Sequence, residues 1–219
     1  MRMVREAAFL AGVALALPQP GGSLGAQAGP DDMAAVTRLL SDVRGAAPLY
    51  CELAARAVDG RVWWSSSGSG SGGALEVDSS AASLVRWIHH EHADARVVPR
   101  LAAAMRDSDA CVRRVAGSML GQVKHAAAYA ALLSALDDTD AATRTVAAIG
   151  LGVAEHAAAL QPLVVRLRDG SATVRRAAAW ALGELEHRDA MLPLIDVLAR
   201  DADARVRQAA AAALGKVAG

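Results

Sequence analysis

The sequence predicts an all-α fold, a right-handed α-solenoid built from two-helix repeats. Three observations carry that expectation. Alanine supplies 53 of 219 residues, and alanine is the strongest helix former while filling little core volume. A seven-residue pattern recurs as Asp107-Ser-Asp-Ala-Cys-Val-Arg113, Asp138-Thr-Asp-Ala-Ala-Thr-Arg144 and Asp169-Gly-Ser-Ala-Thr-Val-Arg175, and then, one residue late, as Asp201-Ala-Asp-Ala-Arg-Val-Arg207. Gly121, Gly152, Gly183 and Gly215, each preceded by a leucine, keep the same spacing of 31, 31 and 32 residues. A single hairpin of this kind cannot bury its apolar face, but a stack of neighbours can.

Residues 1–28 read as a signal peptide. Arg2 and Arg5 precede an unbroken apolar run, Ala7 to Leu17, and Ala26-Gln27-Ala28 supplies small residues for cleavage. That run rises only about 17 Å as a helix, short of a ~30 Å hydrocarbon core. No later segment is long enough to span a membrane, so the mature chain is expected to be exported, periplasmic or extracellular. Residues 29–60 form an N-terminal helical segment, with helices expected over 31–44 and 48–58. Residues 61–75 join Trp63-Trp64 to the linker-like run Ser65 to Gly73. Residues 76–219 form the repeat array, with 79–91 and 94–106 as a degenerate first copy.

Within a repeat, the first helix starts at a capping position such as Asp109, Asp140 or Ser171, where a side-chain oxygen can accept an orphan amide hydrogen. A second helix follows a short turn. Its apolar columns are Tyr129/Leu160/Met191, Leu132/Leu163/Leu194, Leu133/Val164/Ile195 and Leu136/Leu167/Leu198, spaced as one face of a helix. Pro162 and Pro193 fall near its start, where proline is tolerated. The chain ends on a first-type helix, 203–217.

The run Asp169-x-x-x-x-Val174-Arg175-Arg176-Ala177-Ala178-x-Trp180-Ala181-Leu182-Gly183-Glu184-Leu185, followed by Leu192-Pro193-x-Ile195, resembles the short HEAT repeats named after phycobilisome lyases. The resemblance covers 107–219 well and 76–106 loosely. It is specific for fold and unspecific for function, since that repeat serves lyase subunits and scaffolds alike. Asp109/Arg113, Asp140/Arg144 and Asp203/Arg207 stand four residues apart and can meet on one helix face. With Arg175 they form a column that the resemblance implies is a structural ladder between repeats.

Candidate chemistry is sparse. His125, His156 and His187 occupy one column at the turn between the two helices. Neighbouring helices lie roughly 10 Å apart, whereas the ligands of one metal must converge to within ~2.0–2.2 Å of it. The column therefore makes no single metal site. HEAT-type hydroxylases hold iron with His-Glu pairs, and only His90-Glu91, within His89-His90-Glu91-His92, has that order. No nucleophile elbow, phosphate loop or zinc motif is present. No metal and no cofactor is expected.

Cys51 and Cys111 leave two readings open. An even count in an oxidising compartment suggests a disulfide. A regular register would place them two repeats apart, beyond the ~7 Å that a bridge spans between Cα atoms, although the Trp-Trp and Ser/Gly stretch makes that register uncertain.

Lys+Arg 23 balances Asp+Glu 23, which argues against nucleic acid, a partner that usually requires a basic face. The expected function is a non-catalytic exported scaffold or adaptor that binds another protein. An enzyme or enzyme subunit, lyase-like or metal-dependent, is the rival. Candidate contact residues are Trp63, Trp64, Trp87, Ile149 and Trp180. The last three share one column of the first helices with Ser118 and Ala212, where each indole can pack sideways on the neighbouring first helix or, if part-exposed, anchor a partner.

Overall fold

The computed structural model describes residues 31–58 and 95–219. These residues are helical throughout, with no strand among them. The helices are α1 (Asp31–Asp42), α2 (Pro48–Val58), α3 (Val98–Ala104), α4 (Ala110–Gln122), α5 (Ala126–Ala135), α6 (Ala141–Ala154), α7 (Leu160–Arg166), α8 (Ala172–Leu185), α9 (Met191–Arg200) and α10 (Ala204–Val217). Single 3-10 turns lead into α3, α7 and α9.

The helices form two layers. The first helices, α4, α6, α8 and α10, pack one on the next. The second helices, α3, α5, α7 and α9, each pack on the first helix that follows them in the chain. Contacts run mainly between neighbouring elements, as in an α-solenoid. The core lies between the layers. Leu101, Leu132, Leu163 and Leu194 on the second helices are fully buried, facing Leu120, Leu151 and Leu182 on the first.

Small residues let the first helices approach until backbone meets backbone. A Cβ at Gly117 would lie 2.7 Å from the Val146 carbonyl oxygen, and one at Gly183 would lie 2.8 Å from Ala213 Cα. A Cβ at Gly121 would strike the Gly150 carbonyl oxygen. At Gly215, the last in the series, nothing lies within 4 Å of such an atom.

Cys51 and Cys111 are joined as a disulfide, with their Cα atoms 5.5 Å apart. The regular-register reading fails because α2 packs directly on α4. The turn after α1 adds to that junction. Arg44 holds Asp107 through two hydrogen bonds of 2.9 and 2.7 Å, and the Gly45 amide donates to Asp109 Oδ2 at 2.9 Å. Residues 1–28, Trp63, Trp64, the Ser/Gly run, 79–91, Trp87 and the 89–92 histidine cluster lie outside the described residues.

Candidate functional site

The Asp/Arg motif is a structural lock at the start of each first helix. Asp107, Asp138, Asp169 and Asp201 each accept, through Oδ1, the amide hydrogen two residues on, at 2.9 Å in all four copies. Asp109, Asp140 and Asp203 then cap the helix, each accepting two backbone N–H groups. Ser171 occupies the cap position without capping; its hydroxyl lies 2.8 Å from the Thr173 hydroxyl.

The arginines behave differently from the i, i+4 expectation. Arg113, Arg144, Arg175 and Arg207 fold back and donate from Nη1 to two carbonyl oxygens of their own loop. The capping carboxylates are committed to backbone amides, so the cross-repeat acceptor is the first aspartate of the next loop. Arg144 pairs with Asp169, and Arg175 with Asp201, each through two hydrogen bonds. At the two earlier loops other arginines take that place, Arg44 on Asp107 and Arg106 on Asp138.

These contacts hold the aspartates ionised. The Arg44 hydrogen bond and the Asp109 amide hold Asp107 down to about 2. Arg144 lowers Asp169, and Arg175 lowers Asp201, against the opposing effect of partial burial. Arg144 and Arg175 thus tie the loop of one repeat to the loop of the next.

The histidine column is a second set of caps. His125, His156 and His187 each accept a backbone N–H on Nδ1, from Ala127, Ala158 and Asp189 at 3.1, 3.2 and 3.2 Å. A backbone N–H can only donate, so Nδ1 is the bare nitrogen and the neutral ring carries its hydrogen on Nε2. Sequence reading placed these residues at the turn without recognising the cap. His156 also stacks on Tyr129, with ring centroids 4.3 Å apart. The Tyr129 hydroxyl is buried with no hydrogen-bond partner, and burial raises its pKa. Beside this stack is a cavity of about 400 Å³ between the α4–α5 turn and the end of α6.

Trp180 and Ile149 are half-buried and packed against the core. A ring carbon of Trp180 lies 2.7 Å from where a Gly152 Cβ would be, so the indole fills space that glycine leaves on the preceding first helix. Ser118 in the same column is buried, and Ala212 is exposed.

The exposed apolar residues of the array lie instead on the second helices. Leu192 is 78% exposed, Val165 61% and Ile195 46%. Ile195 and Leu198 were expected in the core. Leu136 and Leu167 are 2% and 5% exposed, but Leu198 is 39% exposed. Among the described residues, no second helix packs beyond α9. Near the other end, Leu49, Tyr50 and Leu53 of α2 are also exposed. Hydropathy periodicity marks all these positions as apolar without telling which flank is covered.

Among the described residues no group of three or more His, Cys, Asp or Glu is arranged to hold a metal ion. No described helix is long and apolar enough to cross a membrane.

HEAT repeats are recognised over residues 76–152, 97–173 and 160–219. No curated protein matches the chain. The recognised segments span well over half of the sequence and coincide with the stacked hairpins, so the chain belongs to the HEAT repeat family.

Proposed function

We propose that this HEAT-repeat chain is a non-catalytic, exported scaffold or adaptor that binds another protein through the outer faces of its second helices. The observation carrying this reading is that Leu192 and Ile195, three residues apart and so neighbours on one face of α9, are both exposed, with Val165 exposed on α7. Isolated surface leucines need no explanation, but neighbouring exposed apolar residues on one helix face can mark an interaction surface. HEAT repeats commonly mediate protein interactions, and an extended array offers a preformed surface that loses little entropy on binding. Export is supported by the Cys51–Cys111 disulfide, since such bonds persist in oxidising compartments. The basic and apolar N-terminal run points the same way.

The test compares the wild-type chain with a Val165→Glu/Leu192→Glu variant as baits in a native cell-envelope extract. The expected result is a partner retained by the first and lost by the second, with equal melting temperatures for the two baits. Equal recovery by both would refute the surface. An intact Met1 on the native protein, read by N-terminal sequencing, would refute export.

A further inference from the structure

The cavity beside the Tyr129–His156 stack is bordered by three nitrogen-bearing side chains and a phenol. Lys124, His125, Tyr129 and His156 all border it, and no aspartate or glutamate does. Each of these groups offers a hydrogen. Both imidazoles spend Nδ1 as acceptor on a backbone amide, so the polar atom each ring has left is Nε2–H. Lys124 adds an ammonium, and the Tyr129 hydroxyl is buried without a partner. Ala126, the first residue of α5, brings the positive end of that helix's dipole to the cavity, and Gly121 and Ala154 bring the C-terminal ends of α4 and α6. The rest of the wall is apolar, with Leu120 and Leu132 among it. A volume of about 400 Å³ suits a small organic molecule.

We propose that this cavity binds a small organic carboxylate: the anion would sit among Lys124, His125 and His156, and its apolar body would lie against the leucine wall and the aromatic stack. A carboxylate can accept from the Lys124 ammonium and from both imidazole Nε2–H groups, and its charge complements the ammonium, whereas an amine would be repelled by it.

The next repeat supplies an internal control. Its equivalent positions are Glu155, His156, Leu160 and His187. A carboxylate replaces the ammonium and a leucine replaces the phenol, so the donor set occurs at one turn and not at the next. Lys124 is exposed, and changing it leaves the core intact.

The test follows the histidine ring resonances of the full chain by NMR at fixed pH during titration with phenylacetate, and in parallel with phenylacetamide, its uncharged near-isostere. Saturable shifts of the His125 and His156 rings with phenylacetate, little change at His187 and none of the three moving with phenylacetamide are the expected results. Lys124→Glu, which copies the next repeat, should weaken the phenylacetate response at least tenfold without altering the melting temperature. Equal responses to the acid and the amide, parallel movement of His187, no response to either compound, or an unchanged affinity in Lys124→Glu would each overturn the proposal.

Discussion

The two layers of the array solve packing in opposite ways. The first helices are rich in alanine and glycine, and they approach until a Cβ at Gly183 would lie 2.8 Å from Ala213 Cα. The second helices α7 and α9 carry leucine, valine and isoleucine, bury Leu163 and Leu194 completely and leave Val165, Leu192 and Ile195 open. Tight backbone contact fixes how one repeat sits on the next. The bulkier layer fills the core and still presents apolar side chains to solvent. The same repeat therefore locks through one helix and leaves apolar side chains exposed on the other.

The largest expected effects test the burial side of that contrast. Leu163→Ala or Leu194→Ala should cost about 2–5 kcal/mol in denaturant melts, because each side chain is fully buried between the layers. Leu192→Ala, on the outer face of α9, should stay within about 0.5 kcal/mol. Similar losses at Leu192 and Leu194 would show that α9 presents a different face.

The next effect concerns the loops that join the layers. Asp169→Asn removes the charge that Arg144 holds, and should cost about 1.5–3 kcal/mol near neutrality. The ladder aspartates have lowered pKa values in the folded state. Their contribution is therefore full above the unfolded carboxylate value of about 4 and is lost as pH falls through the folded values. For Asp107 that window closes near about 2. The wild-type chain should lose stability progressively on acidification below about pH 4, and Asp169→Asn should show a shallower decline. Equal acid slopes in urea melts would remove Asp169 from the ladder.

Much of this architecture was legible in the sequence. The recurring Asp…Arg motif and the glycine series located the first helices, and the Leu132/Leu163/Leu194 column identified the side that faces them. The pairing partner within the ladder was not legible. Asp109 and Arg113 have the spacing of a helical ion pair, but backbone amides claim the carboxylate first, a competition visible only once the loop is folded. Ser171 marked a helix start correctly while its hydroxyl turned to Thr173. The histidine caps were hidden because imidazole is an uncommon capping group. Trp180 was open to two readings, a packed indole or a partner anchor, and it is half-buried with a ring carbon in the space above Gly152. Cys51 and Cys111 required the packing of α2 on α4, which no periodicity encodes.

The claim that small residues lock the first helices is tested most directly by one pair of substitutions read in parallel thermal and denaturant melts. Gly183→Ala places a methyl against Ala213 and should destabilise by about 1–3 kcal/mol through overpacking. Gly215→Ala meets nothing within 4 Å and should stabilise by up to about 1 kcal/mol, the ordinary helix preference for alanine over glycine. Opposite signs at these two equivalent positions are what the account predicts. A gain at both would mean that the helices are free to move apart and that the close packing of the first layer does not hold the repeats in place.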